Sequence, residues 1–295
     1  MVSEWNSDVS LANIGSVTEH MTQQSTITTP SRGGPEDTQR AIPLVNLHST
    51  CLTLGGHEIL RNIELALKPG EFVSVVGPSG CGKTTMLRLI AGLFAPTDGR
   101  ILYEGKELRG PTREISVVFQ DYAKALLPWR TAAENVSLAL EAARVPHKKR
   151  APIIQNLLDK TGLGQHSHKF PGQISGGMQQ RLQIARALAQ EPKLLLMDEP
   201  FGALDAMTRQ NLQDELLAIL AVNKATAFFV THDLEEAIYL SDRVIGLLPH
   251  PGRIAEVFDV RLPRPRNQLE TRETEEFVRL RRELTRFITI AEKQG

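Results

Sequence analysis

Two cysteines, Cys51 and Cys81, stand in a chain of 295 residues. Cys81 lies inside a glycine-rich loop that a disulfide would obstruct. The pair therefore reads as free thiols in a reducing, cytosolic setting, not as a disulfide framework. Charge of either sign is also missing in the sum: Lys plus Arg and Asp plus Glu are 34 each. That balance gives no support to a bulk electrostatic partner such as nucleic acid. No apolar run approaches the ~20 residues that a membrane-spanning helix needs. The start of the chain lacks the basic residues and apolar stretch of a signal peptide. The first 40 residues have few large apolar groups and are rich in Ser, Thr and Gln. Such a composition buries too little to order itself, so residues 1–40 read as a disordered tail, with a short helix around 9–17 as the alternative.

What is present begins with Gly77-Pro78-Ser79-Gly80-Cys81-Gly82-Lys83-Thr84-Thr85, which reads G-x-x-x-x-G-K-T, the phosphate-binding P-loop. Its context fits. Residues 71–76 are apolar and β-branched, as in a buried strand, and Met86, Leu87, Leu89 and Ile90 lay an apolar stripe along a helix that Gly92 can end. Glycines at 77, 80 and 82 let the backbone turn its N–H groups towards phosphate oxygens, and the helix terminus adds positive potential. Lys83 would reach the β- and γ-phosphates, and the Thr84 hydroxyl would ligate Mg²⁺.

Around this loop the pattern predicts an α/β protein. Strands are expected at 44–47, at 63–67 after a Gly55-Gly56 turn, at 101–103 and at 115–119. From about 122 to 190 the periodicity turns helical, with segments at 135–143, at Ile153, Ile154, Leu157 and Leu158, and from Gly177 to Ala189. Strands return at 194–197, 227–230 and 244–248, separated by helices at 212–220 and 233–240. Strand–helix alternation implies a parallel sheet covered on both faces. After Leu262 come Pro263-Arg264-Pro265-Arg266 and a charged helix at 273–290, whose Phe277, Leu280, Leu284, Phe287 and Ile288 form one apolar face. That face suits packing on the parent domain better than binding to lipid.

Two further segments carry chemistry. Leu194-Leu195-Leu196-Met197 delivers Asp198 and Glu199 to the carboxyl end of a central strand, the edge where sites lie in parallel sheets. Asp198 would hold Mg²⁺ through water, and Glu199 would orient or deprotonate an attacking water. Ser175-Gly176-Gly177, opening a helix, makes a second anion cradle from a hydroxyl, backbone N–H groups and a helix terminus.

In order along the chain, the P-loop at 77–84, Gln120 after a strand, Ser175-Gly176-Gly177, Asp198-Glu199 and Thr231-His232-Asp233 resemble the motifs of the ATP-binding-cassette ATPases. The match spans roughly residues 42–250. The resemblance implies a P-loop NTPase fold with an antiparallel β subdomain and a helical subdomain at about 121–188. The ATPase domain would cover 41–262, with a helical extension over 263–295. It also implies a head-to-tail homodimer that sandwiches two ATP molecules, each between the P-loop of one subunit and the Ser175-Gly176-Gly177 cradle of the other. Gln120 would sense Mg²⁺ and water, Glu199 would be the catalytic carboxylate, Ala203-Leu204-Asp205 would touch the other subunit, and His232 would meet the γ-phosphate. Two positions depart from the pattern. Leu54-Gly55 stands where an aromatic usually stacks on adenine, and Met178 replaces a glutamine of the signature.

Leu126-Leu127-Pro128-Trp129-Arg130-Thr131, with Glu134-Asn135-Val136, is similar to importers of nitrate, taurine and other sulfonates. The 201–209 and 262–266 segments are similar to the same group, and Gly110-Pro111-Thr112-Arg113 leans towards the taurine type. Trp129 is expected to pack inward while its neighbours meet a permease. By resemblance, the partners are integral-membrane permease subunits, an indirectly associated periplasmic or extracellular solute-binding protein, and a second copy of this chain at the cytoplasmic face of the membrane. Cassette ATPases that act on DNA or ribosomes are the alternative. The absence of a sustained coiled coil between P-loop and signature, and the single cassette, count against them. A simple P-loop kinase would leave Ser175-Gly176-Gly177 and His232 without a task.

Overall fold

A computed structural model of the chain describes residues 42–294. The expected tail at 1–40 and the alternative helix at 9–17 lie outside the described residues. Two sheets form the frame. The first is antiparallel and holds β1 (Val45–Leu54), β2 (His57–Leu67), β4 (Asp98–Tyr103) and β5 (Lys106–Glu107) in the order β2-β1-β4-β5. The β1–β2 hairpin turns through Gly55 and Gly56, both with positive φ. The second sheet holds β3 (Phe72–Val76), β6 (Ile115–Val118), β7 (Leu194–Asp198), β8 (Thr226–Val230), β9 (Arg243–Leu248) and β10 (Arg253–Asp259) in the order β10-β9-β3-β8-β7-β6. All its pairings are parallel except β9–β10.

The central strands are buried on both faces, which explains their unbroken apolar runs. Leu195 and Met197 of β7, with Ala227 and Phe229 of β8, point into one core; Leu194, Leu196, Phe228 and Val230 point into the other. The second core is closed by α1 (Lys83–Ile90) and the antiparallel sheet. The first is closed by α6 (Ala206–Asn223), α7 (Leu234–Leu240) and α9 (Glu275–Glu292), which follows the short α8 (Glu270–Glu273).

Between β6 and β7 the chain forms α2 (Tyr122–Ala125), α3 (Ala132–Ala142), α4 (His147–Lys160) and α5 (Gly176–Leu188). They enclose their own apolar cluster of Leu126, Val136, Leu140, Leu158, Leu163 and Leu182. Helix α3 starts before the expected residue 135 because Thr131 and Glu134 form a reciprocal capping box. The expectation for Trp129 is corrected: it is 71% exposed, while Leu126 faces the cluster and the buried Asn135 side chain ties down the carbonyls of Leu127, Arg130 and Thr131.

The C-terminal arm lies along α7. Arg266 donates to the carbonyls of Ile238, Tyr239 and Ser241 at the end of α7. Arg272 pairs with Glu235 in its first turn at 2.6 Å. Helix α9 begins at Glu275, two residues later than expected, where the Thr274 hydroxyl caps it.

Candidate nucleotide site

The P-loop leaves β3 and enters α1 as its sequence requires. Gly80 and Gly82 have φ of 78° and 97°, where a side chain would be strained. A Cβ on Gly77 would meet the Leu247 carbonyl oxygen at 2.5 Å and Cys81 Sγ at 2.7 Å. The Lys83 ammonium folds over the loop and donates to the carbonyls of Gly77 at 2.8 Å and Pro78 at 2.9 Å. Cys81 is buried, and burial pushes its thiol pKa up against the opposing pull of Lys83.

Three neighbouring strands then bring three side chains together. Gln120 follows β6, Glu199 follows β7 and His232 follows β8, and these strands are adjacent in the sheet. The Glu199 N–H bonds the Val230 carbonyl at 2.9 Å, which levels the ends of β7 and β8. Glu199 itself sits in the left-handed region with φ of 47°, an uncommon conformation for a non-glycine residue and one that recurs at functional sites. Its carboxylate Oε2 lies 3.1 Å from His232 Nδ1 and accepts from Gln120 Nε2 at 3.3 Å.

Asp198, one residue earlier, accepts from the Thr84 hydroxyl at 3.0 Å, joining the end of β7 to the start of α1. Burial raises the Asp198 pKa; the Glu199 charge adds to this, while Thr84, Arg88 and Lys83 oppose it. Thr84, Arg88, Phe119, Gln120, Asp121, Lys124, Ala125 and Asp198 line one open cleft of about 350 Å³.

Ser175, Gly176 and Gly177 belong to a second grouping. The Ser175 hydroxyl caps α5 by accepting from the Met178 N–H at 3.3 Å. A Cβ on Gly177 would touch Leu204 and the Ala203 carbonyl at 3.1 and 3.2 Å, so this cradle rests on the 203–205 loop. Asp205 caps α6 through the Thr208 N–H, and that bond holds its carboxyl below the usual range. Sequence reasoning assigned no task to Gln180. Its amide joins the two groupings, donating to the Glu199 carbonyl at 3.3 Å and accepting from the Ala203 N–H at 3.2 Å. A buried glutamine within an otherwise amphipathic helix was the available signal.

Residues 60–202 match the family model described as ABC transporter. The nitrate import ATP-binding protein NrtC of Synechococcus elongatus is 48% identical over 238 residues, 79% of this chain and 36% of that protein. The bicarbonate transport ATP-binding protein CmpC of the same organism is 44% identical over 252 residues, 84% of this chain and 38% of that protein. The nitrate transport protein NasD of Klebsiella oxytoca is 44% identical over 233 residues, 78% of this chain and 88% of that protein. The chain belongs to the ABC transporter family. This chain thus spans little more than a third of NrtC and CmpC and most of NasD. Among solved structures, a dimeric post-hydrolysis ATP-binding cassette bound to ADP and phosphate superposes with a TM-score of 0.67 at 33% identity. It covers 74% of this chain and 99% of its own. The fold is therefore that of a P-loop ABC ATPase, an ATP-binding and ATP-hydrolysing cassette.

Proposed function

We propose that this cassette hydrolyses ATP to drive import of a small oxyanion through permease subunits, nitrate being the first solute to test. The observation that carries the catalytic part is the meeting of Gln120, Glu199 and His232 at the ends of three adjacent strands, beside a P-loop. The names of NrtC, CmpC and NasD support the solute class. Taurine and aliphatic sulfonates, towards which Gly110-Pro111-Thr112-Arg113 leans, share an anionic oxygen-rich head group with nitrate, although taurine also carries an ammonium group.

Each residue has a physical task. The backbone N–H groups of 77–85, the Lys83 ammonium and the N-terminus of α1 bind and orient the triphosphate. Thr84 and Asp198 fit magnesium: they are hard oxygen donors 3.0 Å apart, and this ion takes one or two protein oxygens besides phosphate and water. Among the described residues no group of three or more His, Cys, Asp or Glu side chains is placed to hold a metal ion, so phosphate and water would complete the coordination. Bound there with the Gln120 amide oxygen nearby, the ion would neutralise developing phosphate charge.

Glu199 accepts a proton from the attacking water. His232 Nδ1 faces the Glu199 carboxylate at 3.1 Å, and as an imidazolium the ring would donate from Nε2 to the γ-phosphate. Ser175, Gly176 and Gly177 of a second copy close the site, a reading supported by the dimeric cassette described above and by the head-to-tail arrangement that the family resemblance implies. No helix among the described residues is long and apolar enough to cross a membrane. The chain is read as peripheral, on the cytoplasmic face, with permease subunits as direct partners, a solute-binding protein beyond them, and no nucleic acid partner.

Uptake in cells lacking the chain tests this reading. Labelled nitrate, bicarbonate and taurine are offered in turn. Loss of uptake of one of them, restored by the intact chain and not by Glu199→Gln, is the expected result. Unchanged uptake of all three, with the chain recovered on ribosomes or DNA, would overturn it in favour of the nucleic-acid alternative.

A further inference from the structure

Arg209 lies in the first turns of α6, just after the 203–205 loop, and reaches in two directions. One guanidinium nitrogen donates to the Leu204 carbonyl at 3.1 Å. The others face Asp233 at 3.6 Å and Glu236 at 3.7 Å. Glu236 is only 6% exposed. Its carboxylate accepts from the Thr231 hydroxyl at 2.9 Å and from the Gln213 amide at 3.2 Å. Thr231 in turn accepts from the Asp233 N–H at 3.0 Å. His232 sits between Thr231 and Asp233, so both of its chain neighbours are held in this one network.

Simple helix packing between α6 and α7 would use apolar side chains, because a buried carboxylate is costly unless it is fully partnered. Here a carboxylate, an arginine and an amide occupy the interface instead. Their partners are the two loops that matter: 203–205 and 231–233. The Arg209 Nε is buried and makes no hydrogen bond, so its 3.7 Å pairing with Glu236 has room to tighten when the start of α6 shifts.

We propose that Arg209 is a positioning residue that ties the 203–205 loop to the loop carrying His232, so that displacement of the first is delivered to the second. The inference rests on the reading above, which places the second subunit against the 203–205 loop and gives His232 a role in hydrolysis. Arg209 touches no nucleotide in this account. It acts through the backbone of Thr231-His232-Asp233.

The test uses the full chain and steady-state ATPase assays on Arg209→Met, Arg209→Lys, Asp233→Asn and His232→Ala, with thermal unfolding of each. Arg209→Met should lower kcat by about tenfold, the size of a typical coupling between sites, with KM for ATP within about twofold of the parent. Its unfolding midpoint should stay within a few degrees of the parent, and Arg209→Lys should recover part of the rate. If Arg209→Met does not fold, Asp233→Asn carries the test: asparagine caps α7 as well as aspartate but removes the charge that Arg209 faces, so kcat should fall while KM holds. Parental kcat in Arg209→Met, or a loss matched by a rise in KM, overturns the inference, as does parental kcat in Asp233→Asn where Arg209→Met does not fold. If His232→Ala is inactive while Arg209→Met is fully active, the inference alone fails. If His232→Ala keeps the parental rate, the inference and the role of His232 fail together.

Discussion

Glu199 and His232 leave different strands yet meet at 3.1 Å through Oε2 and Nδ1. The acid and the histidine therefore stand in contact before any substrate arrives. Their separation is set by the levelled ends of β7 and β8, not by a local turn. Changes that alter how those ends are held should change catalysis more than they change binding.

Ser175 caps α5 away from the P-loop strand, and in the proposed dimer it serves the partner's nucleotide. Ser175→Arg should therefore cut the ATPase rate by ~100-fold or more, the scale of losing one stabilising donor. ATP affinity of the isolated chain, read by titration calorimetry, should stay within about twofold. An equal loss of affinity would place Ser175 against the chain's own nucleotide and contradict the arrangement.

Leu54, at the end of β1, is 39% exposed. If it stands under the adenine, Leu54→Tyr replaces apolar contact with ring stacking worth ~0.5–1.5 kcal/mol, or roughly 2- to 13-fold tighter ATP binding. Unchanged affinity would remove the adenine from that hairpin.

Burial pushes the Glu236 carboxyl from 4.5 up to about 7; the Asp233 charge adds to this, and Thr231, Arg209 and His232 pull against it. The native state therefore holds this proton more tightly than the unfolded chain does. The stability it contributes is fully present below about pH 4.5 and is lost as the pH rises to about 7, on the order of 3 kcal/mol in all. Urea unfolding of the parent and of Glu236→Gln across that window measures it. The stability difference should shift towards Gln as the pH rises, and a flat difference would contradict the assignment.

The arm docks closely on the sheet. A Cβ on Gly246 in β9 would lie 2.6 Å from the Phe287 ring of α9. Gly246→Ala should destabilise the chain by about 1–3 kcal/mol through overpacking, and Phe287→Leu in the same chain should return part of that loss. Chemical denaturation of the single and double variants reads both effects. Full stability of Gly246→Ala would mean that the arm is not held where it is described.

Much of this was legible in the sequence because the informative residues are local. The P-loop, the strand before it and the apolar stripe of α1 are contiguous, and β7 and β8 are unbroken apolar runs. Strand β10 is not legible because it is an edge strand with no period-2 alternation: its charges at Arg253, Glu256 and Asp259 are three apart and Phe258 is its one buried position. Helix α4 was recognised late because it opens on His147-Lys148-Lys149, before its apolar stripe, and carries Pro152 inside. Trp129 was misjudged because an aromatic beside Leu-Pro suggests a packed corner, while the buried Asn135 amide organises that corner instead. The tasks of Arg209, Gln180 and Glu236 were not legible. Each depends on partners from distant segments, and a lone charge in a helix carries no sign of which loop it will meet.

The central claim is that two copies of this chain close on ATP and that Glu199 then completes the reaction. The most direct measurement is the sedimentation of full-length Glu199→Gln with and without ATP and magnesium. The account predicts a monomer without nucleotide, a stable dimer with two ATP bound, and no turnover. A variant that binds ATP yet stays strictly monomeric, or one that hydrolyses ATP at the parental rate, would contradict it.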